Sequence, residues 1–568
     1  MWSGSSKRGS RDAARGTRGR GAGVLTGRGR LPAACIVVTL ALSAAATGAR
    51  QASPSTYETL VALFDEWRAF QKPRLVGGVP DYSAAAMALQ HKALPSYQRR
   101  LNSIDPAGWP VPQQVDWHIV RAEMNGLDFD HRVLGPWAKN PAFYVTVFPG
   151  RSDQPAREGH NAFGAVEIWS YTFPLSSADA DRMASGIRAI PGLLEQAQKN
   201  LVGTGRDLWE YGTRSMRRQS ADLEALSARV GEPPESLKTD IARAKQATDA
   251  FAAWLASQLP SKKGPSGIGV QNYDWYLKNV QLLPYTWREV VTLMERELGR
   301  AHAFLALEEK RNAAEPQQVP IASADEHTAR FSGAITAYMS YLRDHDLLTI
   351  TPWMEPALRA QVGRFNPGPR EFFGEIDYRD PQIMRTHGYH WFDLARMANE
   401  PHPSPIRRGP LLYNIFITKT EGHATGWEEM MMQAGMFDAR PRSRELIYIL
   451  LAQRAARALG DLRMHANEWT LEEAAKRTAA NTPRGWLRLD ANLVRAEQHL
   501  YLQQPAYGTS YLVGKMQIEQ IMAARRRQLG DQFTIRRFMD EFDAAGLIPA
   551  SLVHWELTGE KPSFLNAR

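Results

Sequence analysis

The chain is poor in cysteine, in long apolar runs, and in net charge outside its first fifty residues. Each shortage excludes a class of protein. Cys35 is the sole cysteine among 568 residues. A mature chain beginning near Arg50 has none, which rules out disulfides, a thiol nucleophile and thiolate metal ligands. The formal net charge is +9, but residues 1–50 hold nine Lys/Arg against one acid, Asp12, leaving the remainder close to neutral. The folded body therefore lacks the basic footprint that nucleic-acid binding requires, and no nucleic-acid partner is expected. The most apolar stretch, "LPAACIVVTLALSAAATGA" (31–49), is shorter and richer in small residues than the ~20 residues of a membrane span. Residues 1–49 read as a signal peptide, with an uncleaved anchor as the alternative. A periplasmic or secreted location is expected, with no span in the mature chain. "LPAAC" faintly resembles a lipoprotein box, but the apolar run follows the cysteine where it should precede it.

What is present is helix. "STYETLVALFDEWRAFQ" (55–71) sets Leu60, Leu63, Phe64 and Trp67 at three- and four-residue steps, the period of an amphipathic helix. Similar patterns cover 82–102, 113–127, 178–201, 206–231, 235–259, 286–310 and 324–344. They recur at 390–400, 409–435, 441–460, 470–480, 484–503, 509–528 and 533–545. "AFYVTVFPG" (142–150) and "AVEIW" (165–169) are the strand-like pieces. Without a regular strand–helix alternation, a parallel-sheet fold is excluded. The fold class expected is mostly α, a large multi-helix body with a central cleft and few short strands. "KRNAAEPQQVPIASADE" (310–326) is the clearest break, between an N-terminal helical half (50–310) and a C-terminal half (327–568). "EPHPSPIRRGP" (400–410) must be loop, since prolines interrupt helical hydrogen bonding.

Chemistry-bearing residues cluster in the C-terminal half. "THGYHWFDLARM" (386–397) holds His387 and His390, with Gly388 hinting that the first sits in an entering turn. "TEGHATGWEEMMMQAGMFD" (420–438) holds Glu421 and Glu428, seven apart and so on one helix face, about 10 Å apart along the axis. Imidazole and carboxylate suit Zn²⁺, with three protein ligands at a catalytic site. His387, His390 and Glu421 would be the ligands, with Glu428 as base or as an outer partner that orients a histidine. The spacing fits equally a hydrogen-bonded histidine pair near a loop and a solvated glutamate face. His423 points about 160° away from Glu421 and is left out. Met430–Met432 read as core filling, and Arg407 and Arg408 as a surface pair or a hold for a peptide carboxylate.

From about residue 55 to 557 the chain resembles the bacterial family called domain of unknown function 885, whose members look like helical zinc peptidases. The family's E-G-W-A-L-Y-A-E run is similar to "EGHATGWEEMMMQAGMFD", with Glu421, Gly422, Ala424, Glu428, Gly435 and Asp438 in step. "PAYGTSYLVGKMQI" (505–518) keeps Pro505, Tyr511, Gly514 and Ile518, and "LGDQFTIRRFMDEFDAAGLIP" (529–549) is similar to the closing segment. The resemblance implies a periplasmic or secreted zinc hydrolase acting on a peptide or small amide, with Tyr511 stabilising the tetrahedral oxyanion. It also marks a departure. The family's H-E-x-x-P-G-H-H motif puts its H-E on Ile383 and Met384, and its proline on His387. The residue expected as general base is thus missing. The alternative implied is an inactive descendant that binds a peptide or small ligand in the same cleft.

Overall fold

The computed structural model describes residues 56–157, 159–231 and 235–566. The leader reading and Cys35 lie outside them. Helices dominate, as the periodicity predicts, and the strands are four two-residue pieces. Leu75–Val76 and Val79–Pro80 form a hairpin, whose turn residues Gly77 and Gly78 take φ of 59° and 83°. Val147–Phe148 pairs in parallel with Val166–Glu167, which pins both ends of an intervening loop. No helix of the described residues is long and apolar enough to cross a membrane.

Most helices fall where the apolar steps place them. Leu60, Leu63, Phe64 and Trp67 are the buried face of Tyr57–Phe70. Two boundaries differ. The run expected from residue 409 becomes helix only at Ile417, because Tyr413 and Asn414 take left-handed backbone (φ 57° and 46°). Upstream, Glu123 accepts from the Leu412 backbone N–H (2.8 Å), tying the segment to the Val111–Phe129 helix before the turn. The run expected from 484 begins only at Leu493, after Arg484 at φ 71°. Short helices such as Val270–Asn279, Phe372–Arg379 and Pro381–His387 were not anticipated, since a turn or two carries too few apolar steps to show a period.

One apolar core runs from Leu60 to Leu565, across both sides of the 310–326 break. A second gathers around the helices Ser177–Asn200, Arg206–Arg229 and Glu235–Gln258 and the parallel strand pair. The helix Ile417–Gln433 lies against Tyr507–Leu529 at the heart of the C-terminal half. Their crossing rests on two glycines. A Cβ on Gly514 would stand 2.0 Å from the Thr418 carbonyl oxygen, and one on Gly422 would stand 2.4 Å from the Gly514 Cα. Neither neighbour is a flexible side chain, so Gly514→Ala is expected to push the helices apart. The expected loss is about 3 kcal/mol, the upper end of overpacking costs, read by urea denaturation. An unchanged midpoint would show that the crossing yields.

Candidate metal centre

Two adjoining helices and a third about thirty residues further on bring their side chains to one largely buried point. His387 ends the helix Pro381–His387, and His390 opens the next, Tyr389–Asn399. The histidines thus belong to two helices meeting at Gly388, not to one face of a single helix. A Cβ on Gly388 would stand 2.7 Å from Leu358 Cδ2, so the junction is tight as well as bent. Glu421 and Glu428 project from the 417–433 helix, both buried, which overturns the solvated-face reading.

His387, His390 and Glu421 each offer one donor atom, all within 4.8 Å of one another. His390 Nε2 stands 3.2 Å from Glu421 Oε2, yet both atoms are buried without a hydrogen bond of acceptable geometry. In the metal-free chain the two face each other as an imidazolium–carboxylate pair, and a cation bound between them would take the place of the imidazolium proton. Donors at about 2.0–2.2 Å from Zn²⁺ stand roughly 3.3–3.5 Å apart. The His390–Glu421 edge is close to that length, and the wider edges, up to 4.8 Å, would have to close by as much as about 1.4 Å. The residues present therefore fit a zinc ion.

The surroundings orient these donors. Glu428 Oε1 lies 2.9 Å from His387 Nδ1. With Nδ1–H donating there, Nε2 of His387 is bare, the tautomer a metal ligand needs. Arg454, fully buried on the helix Pro441–His465, donates to both Glu428 oxygens at 2.6 and 2.8 Å. Burial raises the Glu428 pKa, but Arg454 and then His387 outweigh it and hold the carboxyl below its ordinary value. A carboxylate engaged on both oxygens does not serve as a free base. Glu428 is the outer partner of His387.

Tyr507 donates to Glu421 Oε1 at 2.8 Å, and Gln154 Nε2 reaches the same oxygen at 3.1 Å and His390 Nδ1 at 3.4 Å. Thr420 fixes Gln154 by donating to its Oε1 (2.7 Å). Burial opposes the charge on Glu421, but His390, His387 and Tyr507 bring its pKa down to about 2. Burial likewise opposes the His390 imidazolium, and Asp153 and Glu421 raise it to about 9. Asp153 stands on the loop between the parallel strands, and its Oδ1 is 3.4 Å from Gln154 Nε2. It is thus two hydrogen-bond lengths from Glu421. Tyr511 sits one turn beyond Tyr507, its ring 4.0 Å under the Arg457 guanidinium carbon. Sequence reasoning missed Asp153, Gln154, Tyr507 and Arg454. None shares a motif with the ligands, and only Tyr507 lies within a recognised run.

Other assignments resolve plainly. His423 is buried against Tyr389 (ring centroids 3.9 Å apart), and burial pushes its pKa to about 3. It stays out of the ligand set. Arg407 is not a surface residue: it is buried, and pairs with Asp116 (2.6 Å) and Glu556 (2.7 Å) as an internal clamp.

This is a large α-helical protein built around a buried His₂–carboxylate cluster. The family model described as bacterial protein of unknown function (DUF885) matches residues 71–390 and 388–557, and the chain belongs to that family. No curated protein matches it. Two solved structures of proteins described as putative lipoproteins are similar. One, "of unknown function" and from Shewanella oneidensis, has 15% identity and a TM-score of 0.64, covering 89% of this chain and 99% of its own. The other, from Colwellia psychrerythraea, has 14% identity and a TM-score of 0.61 at the same coverage. At such identities the likeness is one of fold.

Proposed function

We propose that His387, His390 and Glu421 hold one Zn²⁺ and that the protein is a periplasmic or secreted hydrolase of peptide or small amide bonds. The observation that carries this reading is the convergence of His387, His390 and Glu421, one ligand atom from each within 4.8 Å of the others and His390 Nε2 3.2 Å from Glu421 Oε2. Bound zinc would supply a Lewis acid that lowers the pKa of water and polarises the scissile carbonyl. Glu428 keeps His387 in the correct tautomer, and Tyr507 and Gln154 fix the Glu421 carboxylate. With Glu428 tied to Arg454, the carboxylate placed to accept a proton is Asp153, half-buried on its loop. Tyr511 is the phenol assigned to the developing oxyanion, where one donor contributes about 10²–10³ in kcat.

The test is zinc content of the purified chain followed by cleavage of a peptide library. One equivalent of zinc with zinc-dependent cleavage is expected. Asp153→Asn should lower kcat by about 10²–10⁴ while zinc content stays unchanged. Zinc without cleavage would favour the second reading, a protein that binds a peptide or small ligand without turning it over. That reading draws on Met384 standing where the family has its glutamate, and on the locked Glu428.

A further inference from the structure

Against the N-terminal helices lies a cavity of about 920 Å³ that the hydrolase reading does not use. It opens between the end of the helix Ala84–Asn102, one face of Val111–Phe129, and the C-terminal segment around Lys561. Gln114, Trp117, His118, Arg121 and Asn125 line it, at the three- and four-residue steps of a single helical face. Arg121 and Lys561 bring two positive charges to its wall. Among the described residues neither has an ion-pair or hydrogen-bond partner. Each instead rests on an indole, Arg121 Cζ 5.7 Å from the Trp117 ring centroid and Lys561 Nζ 5.0 Å from that of Trp555.

Between the two indoles stands His118, only 4% exposed, with ring centroids 5.0 Å from Trp117 and 5.6 Å from Trp555. Among the described residues it has no hydrogen-bond partner. Burial, then Lys561 and Arg121, press its pKa to about 3, so it is neutral at pH 7 and offers one N–H. Gln98 and Asn102 add amides to the lining. The single carboxylate on the lining, Asp105, is exposed and accepts from the Ala107 backbone N–H (3.1 Å).

We propose that this cavity is a binding site for a small organic dianion, a phosphate monoester or a dicarboxylate, held by Arg121, Lys561 and His118. Two cations that form no ion pair among the described residues, against one carboxylate on the lining, suit a ligand with two negative charges, and an Arg guanidinium suits the paired oxygens of either group. The cavity exceeds an inorganic phosphate ion, so an organic body accompanies the charged group.

The test is isothermal titration of the full chain with inorganic phosphate and, separately, succinate, at ionic strength held constant with sodium chloride. Saturable binding of one equivalent of either is expected, and which one binds identifies the oxyanion. Lys561→Ala, at an exposed position that leaves folding intact, and Arg121→Gln should each weaken it about tenfold or more, the loss of one charge-assisted hydrogen bond. Absence of binding by both anions at millimolar concentration overturns the proposal. So does Lys561→Ala binding as tightly as the parent.

Discussion

Alanine at His390 or Glu421 is expected to abolish tight zinc binding, leaving less than a tenth of an equivalent after dialysis against roughly one in the parent. Each removes a donor from a three-ligand set, and each lies where no other side chain substitutes. His390 is 2% exposed and so is Glu421, so neither can be replaced by a ligand from a neighbouring surface. Loss of an outer partner costs less. Glu428→Gln keeps the volume and a weaker acceptor for His387 Nδ1–H, and should weaken zinc by about 10–100-fold. The pH dependence has a definite sign. In the metal-free chain His390 carries a proton at neutral pH, since Asp153 and Glu421 outweigh burial and hold its pKa at about 9. Zinc must displace that proton, so affinity should rise as pH climbs from 7 towards 9 and level off above it. His387, pushed down by burial, is already neutral and adds nothing to the slope. Titration calorimetry in buffers of different ionisation enthalpy should therefore find about one proton released per zinc at pH 7. A chain that takes up no zinc at saturating concentration removes both the metal site and the hydrolase built on it.

How much of this was legible in the sequence depends on the distance over which each feature is written. The long helices are written locally, in apolar residues three and four apart, and they form where the pattern puts them. The short helices and the late start at Ile417 are not, because Glu123 and the left-handed Tyr413 and Asn414 decide that boundary from outside the run. The ligand trio emerged from resemblance combined with residue type, and the chain brings all three together. Gly388 marks the junction, with His387 ending one short helix and His390 in the first turn of the next. The orienting groups were invisible, since Gln154 reaches Glu421 across 267 residues and Arg454 reaches Glu428 across 26, neither in a pattern with its partner. In the sequence Gly422 and Gly514 are motif residues for which the pattern offers no physical reason. The helix crossing supplies one: nothing larger lets the Glu421 helix lie close enough to Tyr507 for the hydrogen bond between them.

Arg454 carries the largest expected effect on stability. Its guanidinium and the Glu428 carboxylate are both fully buried and joined by two charge-assisted hydrogen bonds. Arg454→Met fills similar volume but leaves Glu428 ionised against His387 alone, or forces it to take up a proton. Breaking a buried pair from one side costs about 3–5 kcal/mol, because the remaining charge has no water to return to. Guanidinium denaturation should therefore show the midpoint falling sharply with the slope unchanged. The double variant Arg454→Met/Glu428→Gln separates the pair's net worth from this penalty. With both charges gone the desolvation cost disappears, and most of the lost stability should return, as it does when buried ion pairs are replaced as a unit. Zinc should not follow stability in that variant. His387 loses its carboxylate partner in the double variant as it does in Glu428→Gln, so affinity stays weakened by about 10–100-fold. Restored folding with weakened zinc means that Arg454 and Glu428 serve the metal centre and not the core. If both return together, the pair is structural, and His387 owes its orientation to the Gly388 junction instead.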